Sequence, residues 1–456
     1  MPETAGSSAL TGPPRDTPPQ PITYGRVFRI AGPIVLSNAT VPILGAVDVG
    51  VVGQLGEAAP IGAVAIGAII LSTLYWFFGF LRMGTAGLVG QAEGAGDAAE
   101  VSALLTRALL IAGGAGVVLI AAQAGLFALA FRVSPASEEV ESLARAYLAI
   151  RIWTAPAAIA LYALTGWLVA MEKTGGVFWV QLVMNGLNIV LDLWFVLGLG
   201  WGVEGVAIAT VIAEVTGCAL ALWFCRAAFR RPDWRDWPRV FDRALMLRMA
   251  LVNRDILIRS VLLMGTFTSF VFLSARFGDV TLAANEVLMQ FLHITAYAMD
   301  GFAFAAEALV ARAYGRGDPA RVRRSAVVTS AWGAGTCAAL ALGFALAGPW
   351  IIDLMAKDAG VRDAARAFLP FMVAAPVLGW AAWMLDGIFI GATRARDMRN
   401  MMVLSFLAYL VAVLILMPAF GNHGLWAALL VSFVARGVTL ALRYPALERG
   451  AGGAGG

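Results

Sequence analysis

The sequence predicts an all-α polytopic membrane protein: twelve transmembrane helices in two six-helix lobes related by a parallel pseudo-two-fold repeat. Three observations carry this. Of 456 residues, 60% are hydrophobic and 14% are charged, with a mean hydropathy of +0.80; soluble domains carry about 25% charged residues. Twelve apolar spans follow one another, roughly 26–54, 58–93, 99–131, 138–171, 174–199, 203–229, 241–277, 280–314, 319–348, 360–391, 396–418 and 423–447. Finally, the chain repeats itself. GFLRMGTAGLVGQAEGAGD (79–97) resembles DGFAFAAEALVARAYGRGD (300–318), and TGWLVAMEKTGG (165–176) resembles DGIFIGATRARD (386–397), both at an offset of 221. Six spans precede the arginine-rich 226–248 segment and six follow it. An even number per half makes the halves parallel repeats about an axis along the membrane normal.

Taken in order, the chain divides into a polar, Pro/Ser/Thr-rich tail (1–24), an N-lobe (25–230), a linker (231–240), a C-lobe (241–448) and a Gly-rich flexible tail (449–456). The first tail reads as disordered, and no apolar core of a signal peptide follows a basic start, so the first span is expected to be retained. Several spans exceed the ~20 residues needed to cross hydrocarbon; they must tilt, bend or project into water. Arginines set the orientation. They crowd the connections 226–248, 312–324 and 394–399, whereas 54–60, 199–205 and 418–424 carry no Lys or Arg. The bias places both termini and the linker in the cytoplasm of a plasma (inner) membrane protein. This accounts for the +4 net charge without nucleic acid. Cys218, Cys225 and Cys337 sit in apolar runs with no disulfide or metal spacing, and read as packing residues.

The fifth span, VQLVMNGLNIVLDLWFVLGL (180–199), carries Gln181, Asn185, Asn188 and Asp192 on one helical face. A carboxylate at that depth marks a functional site by default. Asp48, Asp192 and Thr210 all fall roughly 10 Å below the outer surface at ~1.5 Å per residue, and Asn188 lies one turn deeper. Such an oxygen-rich set can hold a hard monovalent cation or share protons. The repeat is an internal control: Asn188, Asp192 and Thr210 correspond to Tyr409, Val413 and Leu429, and Asp48 to about Phe270. The fold does not demand the polar set. The bland alternative is interhelical hydrogen bonding. Pro33 and Pro42 in the first span each remove a backbone bond and favour a bend.

On these residues the chain resembles the multidrug and toxic compound extrusion (MATE) family, and within it the DinF-like branch. The resemblance rests on GPIVLSNATVPILGAVDVGVVGQLG, NGLNIVLDLWFVLGLGWGVEGVAIAT, NRDILIRS and MDGFAFAAEALVARAYGRGD, and spans about 24–447. It implies a MATE-type fold and a cation site of Asp48, Asn188, Asp192 and Thr210, with Pro33 as the bending proline. It also implies export of amphipathic or cationic organic molecules by antiport against H⁺ or Na⁺, without a further cofactor, by a monomer in the bilayer. The absence of an acid in the seventh span beyond Asp255 favours the DinF-like branch over the NorM-like one.

Secondary features extend the expectation. Gln181, Asn185 and Glu214 are candidates for the N-lobe cavity. Arg254, Arg259, Asp300, Glu307 and Asp386 sit toward the cytoplasmic ends of their spans and are candidates for an inner gate, against plain helix pairing as the alternative. Arg151 in the fourth span needs a carboxylate or water partner. Met184, Met264 and Met289 suit varied apolar ligands, and aromatic faces suit organic cations. His293 and His423 have no ligand pattern around them, so no metal centre is expected beyond Na⁺ at the cation site. No G-x-x-x-x-G-K-[ST] loop and no H-E-x-x-H are present, which argues against an ATP-driven pump and an intramembrane protease. The rival reading is a flippase or exporter of lipid-linked or polymeric substrate on the same bundle; the concentration of arginines in connections disfavours it.

Overall fold

The computed structural model describes residues 20–54, 58–133 and 136–453, without the side chains of 41, 43, 45, 46, 48, 49 and 58. Twelve long helices run up and down: α1 Tyr24–Gly53, α2 Ala59–Ala95, α3 Ala98–Val133, α4 Glu138–Ala170, α5 Thr174–Gly198 and α6 Gly202–Phe224, then α7 Arg243–Phe277, α8 Asp279–Gly315, α9 Pro319–Met355, α10 Ala359–Gly391, α11 Ala395–Phe420 and α12 Asn422–Gly453. By length and composition, α2 to α12 can each cross a membrane. The longest, at 37 residues, extend ~55 Å, well beyond a ~30 Å hydrocarbon core. Helices of that length must tilt, bend or project past it. Leu346, Leu414, Leu442 and Phe272 stand exposed on the outer surface, as lipid-facing side chains must.

The ends of these helices follow from local chemistry. The Asp97 carboxylate accepts from the Glu100 amide at the start of α3, and Asp318, 221 residues later, accepts from the Arg321 amide at the start of α9, each at 3.0 Å. Caps of this kind contribute about 1 kcal/mol. The repeat is thus written into the caps as well as the apolar pattern.

Helices α1 to α6 form one lobe and α7 to α12 the other. Both described termini and the connection between the lobes lie at one end of the bundle, here the linker end. The connection is no loose strap. Its short helices Pro232–Arg235 and Trp237–Val240 dock on the start of α3. Buried Arg107 donates to the carbonyls of Val240 (2.8 Å) and Arg239 (2.6 Å), and Arg239 pairs with Asp97 at 2.9 Å.

Helix α1 packs against both lobes. It stays helical through Pro33 and Pro42. Val27, Ile30 and Ala31 are part of a C-lobe core with Phe302, Ala305 and Leu309 of α8. Gly301 permits this approach, since a Cβ there would lie 2.8 Å from the Ala31 carbonyl oxygen. Farther along, Thr40 bonds instead to α5 of the N-lobe.

Helix α12 runs to Gly453, into the 449–456 stretch that composition assigns to a flexible tail. The reason is packing. Ala451 is fully buried, and Gly450 lies against the Tyr314 hydroxyl and Arg394.

Candidate functional site

The polar face of α5 divides into two layers. Nearer the far end, Asn188 donates from Nδ2 to Asp192 Oδ2 at 2.7 Å, and both are buried. Asp192 is the last α-helical residue before a π-helical segment, Leu193–Gly198. Wide turns of this kind recur at functional sites, and nothing in the sequence announced this one. Thr210, also buried, donates its hydroxyl to the Val206 carbonyl at 2.9 Å. Its lone pairs remain available as ligands. One layer nearer the linker end, Gln181 donates to Asn185 Oδ1 at 2.9 Å and Asn185 donates to Thr40 Oγ1 at 2.8 Å. These two side chains tie α5 to α1. Asp48 lies on α1, two turns past Thr40, and its side chain is outside the described residues. Carboxylate, amide and hydroxyl oxygens are hard donors and suit a monovalent cation or a proton. Among the described residues no cluster of three or more His, Cys, Asp or Glu side chains forms a metal site.

Glu214, one turn beyond Thr210, pairs with Arg151 of α4 at 2.7 Å, and Arg151 also donates to the Tyr147 hydroxyl at 3.1 Å. This supplies the partner that the sequence left unnamed. Removing one member leaves the other charge buried. Arg151→Met should therefore destabilise the protein by about 3–5 kcal/mol, whereas Arg151→Met with Glu214→Leu should recover most of the loss. Thermal unfolding in detergent checks this. Equal melting points for the single variant and wild type would show that the pair is not buried in solution.

The lobes meet at the linker end. Arg82 of α2 grips Glu307 of α8 with both amino groups, at 2.9 and 3.3 Å. Glu172, in the α4–α5 turn, accepts from Arg26 (2.6 Å) and from Arg312 of α8 (2.8 Å). Gln91 of α2 donates to Thr393 Oγ1 at 3.0 Å and to the Gly391 carbonyl at 3.2 Å. These contacts obey the repeat: Gln91 and Arg312 are 221 residues apart, as are Glu172 and Thr393, and as are Gly94 and Gly315. Each lobe extends a side chain from its second helix to the end of the other lobe's fourth. Glu172 (φ 55°) and Thr393 (φ 51°) are left-handed residues without being glycine, a strained geometry that persists where the surroundings hold it. Among the described residues, the cross-lobe hydrogen bond nearest the far end is Asn38 Nδ2 to the Tyr297 carbonyl, at mid-helix. Beyond it no cross-lobe hydrogen bond is seen among the described residues.

The five residues offered for an inner gate separate accordingly. Glu307 bonds across the lobes. Arg259 pairs with Asp386, and Arg254 with Asp255 at 3.0 Å, all inside the C-lobe. Asp300 makes no hydrogen bond or ion pair among the described residues. Arg26, Arg82, Gln91, Glu172, Arg312 and Thr393 carry no local motif that marks them as seam residues, although the 221 offset pairs four of them.

Above this seam lies a cavity of about 520 Å³ between α2, α7, α8, α10 and α12. Met83, Met264, Phe267, Met289, Trp383 and Phe433 give it apolar walls, and Arg82, Arg259, Arg436, Asp300, Glu307 and Asp386 give it charge.

Comparison with known proteins agrees with this architecture. The sequence profile of the MatE family matches residues 33–194 and again 256–417, one match per lobe. The chain is 39% identical over 424 residues to the DNA damage-inducible protein F of Escherichia coli, covering 91% of this chain and 90% of that protein. It is 26% identical over 427 residues to the probable multidrug resistance protein NorM of Rhizobium meliloti, covering 88% and 89%. Among solved structures it is similar to the Vibrio cholerae MATE transporter VcmN in the bent form, with a TM-score of 0.84, 19% identity and 94% and 98% of the two chains covered. It is also similar to an outward-facing multidrug resistance MATE family transporter, with a TM-score of 0.82, 18% identity and 93% and 97% covered. The chain belongs to the MatE family of membrane transporters, on its DinF-like branch.

Proposed function

We propose that this protein exports amphipathic organic small molecules across the inner membrane, driven by uptake of H⁺ or Na⁺. The linker end faces the cytoplasm, as the arginine-rich connections favour. A linker end held by cross-lobe bonds, with none among the described residues beyond Asn38, then corresponds to an outward-facing state. The observation that carries the reading is the buried Asn188–Asp192 pair beside α1. A cation or proton arriving there changes the charge next to the α1 segment that contains Pro42 and Asp48. Helix α1 reaches from that site into the C-lobe core at Val27 to Ala31. Repacking of α1 is therefore the link between cation uptake and release of the cross-lobe seam. Coupling requires each ligand to have a different affinity for the two states.

Purified protein in liposomes, given a pH gradient or a Na⁺ gradient separately, tests this with a panel of amphipathic dyes of either charge. One gradient is expected to drive dye movement and its collapse to stop it. Response to neither gradient would rule out cation coupling and favour a flippase of lipid-linked substrate.

A further inference from the structure

The C-lobe wall of the cavity holds a charge arrangement that neither the seam nor the cation site uses. Arg259 of α7, Asp386 of α10 and Arg436 of α12 meet there, all of them buried; Arg436 is only 4% exposed. Two guanidinium groups share one carboxylate. Arg259 donates to Asp386 Oδ2, and Arg436 comes within 3.8 Å of the same oxygen without a hydrogen bond. The Nε–H groups of both arginines lack a partner among the described residues. Glu307 is hydrogen-bonded by Arg82 through both of its oxygens and makes no ion pair with Arg259 or Arg436. Asp300 lines the same cavity and pairs with neither arginine.

An arginine in mid-membrane is expensive and tends to mark a substrate path. The repeat shows that the fold does not require this one. Asp386 corresponds to Thr165, and Arg436, aligned as Thr210 is with Leu429, corresponds to Gly217. Guanidinium forks match carboxylates in bidentate geometry. The adjoining wall of Met264, Phe267, Met289 and Phe433 is apolar and adaptable.

We infer that the Arg259–Arg436 pair is an anion-recognition site, and that the cavity takes an amphipathic organic acid whose carboxylate docks between the two guanidinium groups while its apolar body lies on the Met/Phe wall. The inference rests on the export reading for its purpose, but its test needs no gradient. Purified protein in nonionic detergent is titrated with dansylaminoundecanoate and with the uncharged primary amide of the same molecule, and dansyl fluorescence reports binding. The acid should bind at least ~10-fold tighter than the amide. Arg436→Gln should erase that preference and Arg436→Lys should retain part of it. Equal affinities for acid and amide in the wild-type protein overturn the inference whether or not any variant folds, and so does an unchanged preference in folded Arg436→Gln. A second arm adds dioctanoyl phosphatidylglycerol or dioctanoyl phosphatidylcholine as competitor. Little displacement by either supports a soluble acid as the ligand. Strong displacement by the phosphatidylglycerol alone assigns the site to a lipid phosphate and overturns the substrate assignment. A failed gradient assay with a preserved acid preference would remove the coupling mechanism and leave this site standing.

Discussion

Asp192→Asn is expected to lower gradient-driven export by a factor on the order of 100, the upper range of coupling between two ligand sites. The substitution keeps shape and hydrogen-bonding length while deleting the charge. Asp192 is fully buried, and its Oδ2 accepts from Asn188 at 2.7 Å. An amide there can still meet Asn188 by turning its oxygen toward it, so the helix and the π-helical segment after it should persist. A group that can neither ionise nor bind a proton at this position cannot make the α1–α5 contact depend on the external cation. Folding should be little affected, because a neutral isostere avoids the desolvation cost of a buried carboxylate. The assay compares substrate movement in liposomes with and without the imposed gradient, at matched reconstitution and melting temperature. Undiminished gradient-dependent export by Asp192→Asn would sink the N-lobe cation site. Gradient-independent binding of the dansyl acid should be unaltered, because its arginines lie in the other lobe.

The site and the seam were legible to different degrees, for physical reasons. The Asn188–Asp192 spacing is local: four residues on one helix share a face whatever the tertiary fold, so the sequence alone brings these side chains together. Asn185 and Thr40 come from different helices, and their bond depends on where α1 crosses α5, which no periodicity encodes. Arg82 shows the same limit more sharply. In sequence it is one more arginine near the end of an apolar span, a place where snorkelling to the interface is the ordinary explanation. Only the approach of α8 turns it toward Glu307. Depth groups Glu307 with Arg259 and Asp386 as inner-gate candidates, but depth says nothing about which lobe a partner belongs to: Arg259 meets Asp386 within the C-lobe, and Glu307 meets Arg82 across the seam. The repeat itself encodes part of the seam. Positions 91, 172, 312 and 393 align at one offset, and two lobes related by a two-fold must present equivalent positions to each other near the axis.

The second large effect is expected from that axis. Gly94→Leu should break the linker-end seal. At Gly94 the backbones of α2 and α8 touch: an added Cβ would collide with the Arg312 carbonyl, whose carbon lies 2.9 Å from its position. The obstacle is helical backbone, which cannot rotate away as a side chain can. Overpacking of this kind typically costs about 1–3 kcal/mol. Because the clash exists only when the lobes are sealed at this end, the cost falls on that state alone and shifts the equilibrium between states ~5-fold to ~150-fold toward linker-end opening. Each lobe should fold as before. The readout is a short bismaleimide cross-link between cysteines placed at Gln91 and Thr393, after Cys218, Cys225 and Cys337 are replaced by serine. Wild-type seam geometry, with these side chains 3.0 Å apart, should give high yield, and Gly94→Leu should reduce it ~10-fold. Gly315→Leu should do the same, since a Cβ there would strike the Gln91 carbonyl. Gly113→Leu on α3, where nothing lies within 4 Å of the added carbon, should leave the yield intact and controls for a general effect of leucine in a helix. If Gly94→Leu cross-links as fully as wild type, the seam is not the contact that closes this end, and the strain at Glu172 and Thr393 has another origin. If only one of the two seam glycines matters, the lobes do not close symmetrically, and the pseudo-two-fold describes their ancestry but not their motion.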